Sequence, residues 1–335
     1  MYSNSRHDAA TSADARQADE TAVRSMYEAA PYPDLGAGLK DIAYYWKRVP
    51  ELSARKDVRF LDAGCGTGHL LVGTARRFPT WTCCGIDLSS ASLAVAEKLA
   101  VQHGVKNTEL HKGSYLDPLP FAEAFDVIAA LGTIHHAADP VAALKNLSSW
   151  LKDDGVIFMH LYGQRIDQGR FDIKEMLSLL EPDLFNHARR FQHYDAYMRH
   201  LDRRRPLWKR ILLTSPYDWY YALRRRLVNM RRRAANVSWS PGWTERYTRP
   251  DAPWIDHFCH PCERAYEARD VQALVEAAGL ELVHMIGHGS EHAWQIPPEW
   301  RPLYDRLGVW DRIRINELLA TGGGSYNMIL RRRRG

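Results

Sequence analysis

The chain has 335 residues, a formal net charge of +5, 45% hydrophobic and 25% charged residues. That composition excludes a disordered, collagen-like or small disulfide-built protein and fits one large or two closely joined soluble domains. No run of eighteen apolar residues occurs and the opening "MYSNSRHDAATSADARQADE" carries no apolar signal segment, so a cytoplasmic protein with no membrane span and a disordered stretch over 1–20 is expected. The five cysteines, Cys65, Cys83, Cys84, Cys259 and Cys262, are an odd set whose spacing suggests no secreted disulfide framework.

A helix and lid are expected over 21–56. From 57 to 163, strand and helix patterns alternate through "VRFLDAG", "LLVGTARRF", "WTCCGIDL", "ASLAVAEKLAVQHG", "TELHKGSYLD", "FDVIAALGTI", "VAALKNLSSWL" and "GVIFMHLYG". This alternation predicts an α/β fold with a parallel sheet, helices on both faces and a ligand across the carboxyl ends of the strands. Gly64, Gly66 and Gly68 follow the first strand and precede a helical pattern, as in turns that bring backbone close to a nucleotide-like ligand. A dinucleotide is a poor fit: His69 stands where the third glycine of G-x-G-x-x-G belongs, and Asp62 would repel a pyrophosphate. Asp62 suits a cationic ligand. Asp87 closes the second strand, where an acid holds a ribose hydroxyl.

With "LDAGCGTG", Asp87 and "FDVIAALGTIHHAADP" in place, the chain resembles the class I S-adenosylmethionine-dependent methyltransferases over about 22–163 and 266–333. The resemblance implies a Rossmann-like, doubly wound, mostly parallel seven-stranded sheet with a large, mainly helical insertion after the fifth strand. It implies that Asp62 with Gly64, Cys65 and Gly66 takes the methionine end of S-adenosyl-L-methionine, with S-adenosyl-L-homocysteine as product. Asp87 would hold the ribose and Leu88 the adenine face. Ser114 stands where the family often has an acid, so Ser114 or Tyr115 would meet the adenine through backbone, while Leu131 and Gly132 pass the sulfonium. A narrower likeness, to a branch with Tyr-x-x-x-Pro-Tyr-Pro ahead of the glycine turn and His-His-x-x-Asp-Pro after the fourth strand, is carried by "YEAAPYP" and "HHAADP". Tyr27 then belongs to the cofactor side and Tyr32 to the acceptor side, as a lid or as a packing strap.

His135 and His136 are the catalytic candidates, because a neutral imidazole at that strand end can take a proton from an attacking nucleophile; Asp139 and Pro140 alternatively mark only a helix start. Residues 164–265 form the insertion, expected to bind the acceptor, and 266–335 complete the sheet. From Asn186 to Pro250 there are sixteen Lys or Arg against four Asp or Glu. Three readings stay open: a solvated helix face with a possible partner copy, a site for an acidic small substrate, or a nucleic-acid platform with Trp208, Trp219 and Tyr221 stacking on bases. Cys259 and Cys262 have the C-x-x-C spacing of half a zinc site without a second half, and no metal is expected. Acceptor-side candidates are Tyr162, Arg165, Tyr194, Trp243, Tyr247 and His260. The expected function is methyl transfer to an O, S or N nucleophile of a small metabolite or modified peptide. An RNA methyltransferase and a non-catalytic cofactor-binding interaction protein are the alternatives.

Overall fold

The computed structural model describes residues 13–33, 37–53, 55–118, 121, 124–204, 247–286, 296–319 and 325–333. Seven strands, β1 (Arg59–Ala63), β2 (Thr82–Asp87), β3 (Thr108–Lys112), β4 (Phe125–Leu131), β5 (Leu151–Leu161), β6 (Leu280–Ile286) and β7 (Tyr326–Arg332), form one sheet in the order β3-β2-β1-β4-β5-β7-β6. β1 to β5 are parallel, and β7 runs antiparallel between β5 and β6. The strand order reverses between β1 and β4, which opens a crevice at their carboxyl ends.

The strands are apolar on both sides because both faces are covered. Leu61, Ile128, Ala130 and Ile157 join one core cluster, while their neighbours Phe60, Val127, Ala129 and Phe158 join the other. The period of two along each strand therefore feeds two hydrophobic layers. Helices α1 (Ala13–Ala29), α2 (His69–Arg77), α3 (Ser90–Gln102), α4 (Pro140–Ser149), α5 (Gln164–Leu180), α6 (His187–Arg204), α7 (Ala252–Cys259), α8 (Ala268–Ala277) and α9 (Val309–Leu319) complete the main elements. The side chains of Ser89 and Asp139 accept hydrogen bonds from the N–H groups of Ser92 and Ala142, capping α3 and α4.

Two boundaries depart from expectation. α1 begins at Ala13, inside the stretch expected to be disordered. β5 begins at Leu151, where an apolar residue pairs with Phe125, four residues before the "GVIFMHLYG" pattern starts. Lys152 donates to the buried carboxylate of Asp126 at 2.8 Å, which gives that polar stretch a strand-compatible partner. The insertion contributes α5, α6 and α7, and a third core cluster of Met26, Leu177, Tyr194, Trp254 and Phe258 ties α7 to α1. The most basic part of the insertion, with Trp208, Trp219, Tyr221 and Trp243, lies outside the described residues, as do Leu207, Ile211 and Leu212.

No helix among the described residues is long and apolar enough to cross a membrane.

Candidate active site

β1 delivers Asp62 to the crevice, and the chain then turns through Gly64, Gly66 and Gly68, all at positive φ. The N–H groups of Gly64 and Cys65 donate to the Ile86 carbonyl at 2.8 and 3.0 Å. The turn is thereby clamped onto β2. Gly66 is required twice over: its φ is +52°, and a Cβ there would collide with the carbonyl oxygen of Tyr32. That carbonyl accepts from the Thr67 N–H at 3.1 Å, and the Thr67 hydroxyl donates to the Pro33 carbonyl at 2.8 Å. The Pro31–Pro33 segment thus lies directly over the glycine turn.

Asp62 is 4% exposed and its Oδ2 has no hydrogen-bond partner among the described residues. Burial, followed by the nearby Asp87 carboxylate, pushes its pKa up to about 7, while a backbone N–H at Leu71 pulls the other way. An acid in this position lacks a cation, and an ammonium group would supply one. Asp87 accepts from the N–H of Gly66 at 2.8 Å and of Ser89 at 2.9 Å. A carboxylate has about four lone-pair sites, so it retains capacity for a diol. Leu88, next to it in the chain, and Leu131, at the end of β4, are half-buried, and Gly132, at φ +87°, faces open space. The Ser114 hydroxyl donates to the Glu20 carboxylate, so α1 brings an acid to the place where the sequence lacks one. Tyr115 turns inward and donates to the Thr133 carbonyl at 3.3 Å.

His135 and His136 occupy a 3₁₀ turn, Ile134–His136, after β4. Both are buried, and burial lowers both pKa values, that of His136 to about 4, so both rings are neutral. His135 packs against Tyr162 with ring centroids 4.0 Å apart, and neither of its ring nitrogens has a hydrogen-bond partner among the described residues. His136 stacks on His260 at 3.7 Å. Beside them, Asp256 of α7 accepts from the Tyr27 hydroxyl at 2.7 Å. Burial raises Asp256 to about 6 despite that hydrogen bond.

One potential ligating atom from each of His136, Asp256 and His260 lies within 4.8 Å of the others, a set with metal-ligand composition. The ring geometry argues against it. An imidazole binds a metal in its own plane at about 2 Å. Two rings 3.7 Å apart and tilted by only 23° have planes that meet well beyond that distance. His260 Nδ1 also accepts from the Cys262 N–H at 3.1 Å, which leaves Nε2 protonated.

Behind this cluster, Glu263 accepts from Arg170 at 2.8 Å and Lys174 at 2.6 Å. Burial alone would raise the Glu263 carboxyl, but Lys174 and Arg170 outweigh it and hold it at about 2. The Arg170 guanidinium also lies 4.6 Å from the Tyr162 ring centroid.

Of the residues read from sequence, the structure brings Tyr27, His135, His136, Tyr162 and His260 together. Tyr194 does not join them: it is 2% exposed and packs among Phe191, Trp254 and Phe258, because α6 turns its aromatic face into the insertion's core. Tyr247 packs against Phe258 and hydrogen-bonds His257, and Arg165 is exposed on the first turn of α5. All five cysteines are free and buried. Asp256, Glu20, Arg170 and Glu263 escaped the sequence reading. Only Asp256 had a visible signal, as the one acid in the otherwise apolar "APWIDHFC".

A methyltransferase-domain family matches residues 54–199. An uncharacterized protein of Synechococcus sp. is 26% identical over 89% of this chain and 68% of its own length. The ubiquinone biosynthesis O-methyltransferase of Actinobacillus pleuropneumoniae is 35% identical over 30% of this chain and 44% of its own. The solved structure of PKMT2 from Rickettsia typhi in complex with AdoHcy superposes with a TM-score of 0.62 at 15% identity, covering 90% of this chain and 55% of that one, a likeness of fold. The chain thus spans less than half of that curated O-methyltransferase and about half of the solved structure. Residues 54–199 therefore carry the likeness to methyltransferase domains, and the sheet they help to build has the fold of that AdoHcy-bound structure.

Proposed function

We propose that the protein is an S-adenosylmethionine-dependent methyltransferase acting on a nucleophile of a small metabolite or modified peptide. The observation that carries this is the unpartnered Oδ2 of buried Asp62 at the carboxyl end of β1, beside a turn whose glycines leave room for a ligand. The cofactor, when bound, supplies a methyl group on a cationic sulfur. Asp62 would pair with its ammonium, the glycine turn with its carboxylate, Asp87 with its ribose diol and Glu20 with its adenine amino group. The last assignment moves the adenine contact from the backbone of Ser114 or Tyr115 to a side chain of α1.

His136 is the base. The Cys262 carbonyl can only accept, so His136 Nδ1 carries the proton and donates over 3.1 Å. Its Nε2 lone pair is left for a substrate proton. Because displacement at carbon depends mainly on positioning, loss of this base slows the reaction without abolishing it. The matched ubiquinone biosynthesis O-methyltransferase is compatible with this chemistry.

Incubation with methyl-labelled S-adenosylmethionine and fractionated extract of the source cells tests the proposal. Label is expected in a nuclease-resistant small-molecule or peptide fraction, and Asp62→Asn should abolish it. Label confined to a nuclease-sensitive fraction would contradict the acceptor class.

A further inference from the structure

The backbone of a single residue, Cys262, sets the tautomers of two imidazoles. Its N–H donates to His260 Nδ1 at 3.1 Å, and its carbonyl accepts from His136 Nδ1 at 3.1 Å. An amide N–H cannot accept and a carbonyl cannot donate, so the two rings hold opposite tautomers. The rings stack with centroids 3.7 Å apart. A lone pair at His136 Nε2 and an N–H at His260 Nε2 therefore stand in neighbouring rings.

His260 is 1% exposed and its Nε2 has no hydrogen-bond partner among the described residues. A buried donor left unsatisfied is costly, so the arrangement calls for an acceptor atom that no described residue places within hydrogen-bonding distance.

We infer that this imidazole pair selects an oxygen nucleophile, the hydroxyl of an alcohol or phenol, as the methyl acceptor; the inference rests on the methyltransferase reading. A hydroxyl oxygen carries one proton and two lone pairs. Its proton points to His136 Nε2, one lone pair accepts from His260 Nε2, and one lone pair remains to attack. A neutral amine has a single lone pair, so engagement by His260 leaves none for the reaction. A thiol accepts hydrogen bonds weakly and leaves the His260 donor unsatisfied. A carboxylate brings no proton to His136 and sets lone pair against lone pair.

In the reaction, an O–C bond forms as the C–S bond breaks. The bonding pair stays with sulfur, which departs as a neutral thioether. The hydroxyl proton passes to His136 Nε2 and then to water, because burial disfavours the charged ring. Charge balances, since one cationic sulfur is consumed and one proton released.

The test uses the full chain with ¹⁵N-labelled histidine, saturated with S-adenosylhomocysteine. Long-range ¹H–¹⁵N correlation should show the Nδ1–H tautomer at His136 and the Nε2–H tautomer at His260. The same tautomer at both positions would overturn the inference. In parallel, methyl-¹³C S-adenosylmethionine is incubated with the extract and the shift of the transferred carbon read. A methyl on oxygen is expected; a methyl on nitrogen or sulfur overturns the inference and leaves the methyltransferase reading intact. If calorimetry on the same sample detects no S-adenosylhomocysteine binding, the methyltransferase reading falls and takes this inference with it. His260→Phe, which keeps the ring stack and loses the donor, should lower kcat/KM at least tenfold with unchanged S-adenosylhomocysteine affinity.

Discussion

The Tyr27 hydroxyl donates to Asp256 Oδ1 across 2.7 Å, joining α1 to α7 although 229 positions separate them in the chain. The bond lies at the edge of the histidine cluster, with the Tyr27 ring 5.6 Å from that of His260. Tyr27→Phe leaves a buried carboxyl short of a donor and should cost about 1–3 kcal/mol in urea unfolding. Burial already holds Asp256 at about 6, above its unfolded value. Its contribution to stability is therefore present at low pH and lost as pH rises through about 6; Tyr27→Phe should move that loss to higher pH.

Glu20 meets Ser114 at the edge of β3, and Ser114 in turn accepts from the Leu116 N–H at 3.0 Å. If Glu20 reads the adenine amino group, the protein should bind S-adenosylhomocysteine at least tenfold tighter than S-inosylhomocysteine, which has a carbonyl there. Glu20→Ala should erase most of that preference, as competition binding would show.

Gly66→Ala places a Cβ against the Tyr32 carbonyl in a left-handed backbone conformation. The expected cost is about 1–3 kcal/mol, and it should fall on the contact between turn and strap. Protease cleavage between 31 and 40 should accelerate, with cofactor affinity reduced, while cleavage elsewhere stays slow.

The Glu263 carboxylate is held by Arg170 and Lys174, all three largely buried. Glu263→Gln removes the shared anion and should destabilise the fold by about 3–5 kcal/mol. In the parent protein, the depressed carboxyl contributes stability above its unfolded pKa near 4, lost as pH falls toward about 2. Acid unfolding monitored by Trp fluorescence should lose that component in Glu263→Gln.

Much of the sheet was legible because its signals are local. β1, β2 and β4 are short apolar runs, and the glycines after β1 announce their turn by spacing alone. Capping by Asp139 was readable from one acid followed by proline. The histidine cluster was not, because its members come from α1, the turn after β4 and the far end of the insertion. Tyr194 shows the difficulty from the other direction: a tyrosine in a basic, aromatic segment looks like a ligand contact, yet tertiary packing makes it core. His136 and His260 were individually visible, but their opposed tautomers depend on the backbone of Cys262, which no residue pattern encodes.

Calorimetric titration with S-adenosylmethionine at pH 6, in two buffers of different ionisation enthalpy, tests the role of Asp62 most directly. Burial and Asp87 hold the unliganded carboxyl at about 7, so it is mostly protonated at pH 6 and must ionise to pair with an ammonium group. The parent protein should bind with release of a proton, seen as a buffer-dependent enthalpy, and affinity should weaken as pH falls below 7. Asp62→Asn should bind at least tenfold more weakly and without that proton. Equal affinity in parent and variant, or no heat from the parent protein, would contradict the assignment of Asp62.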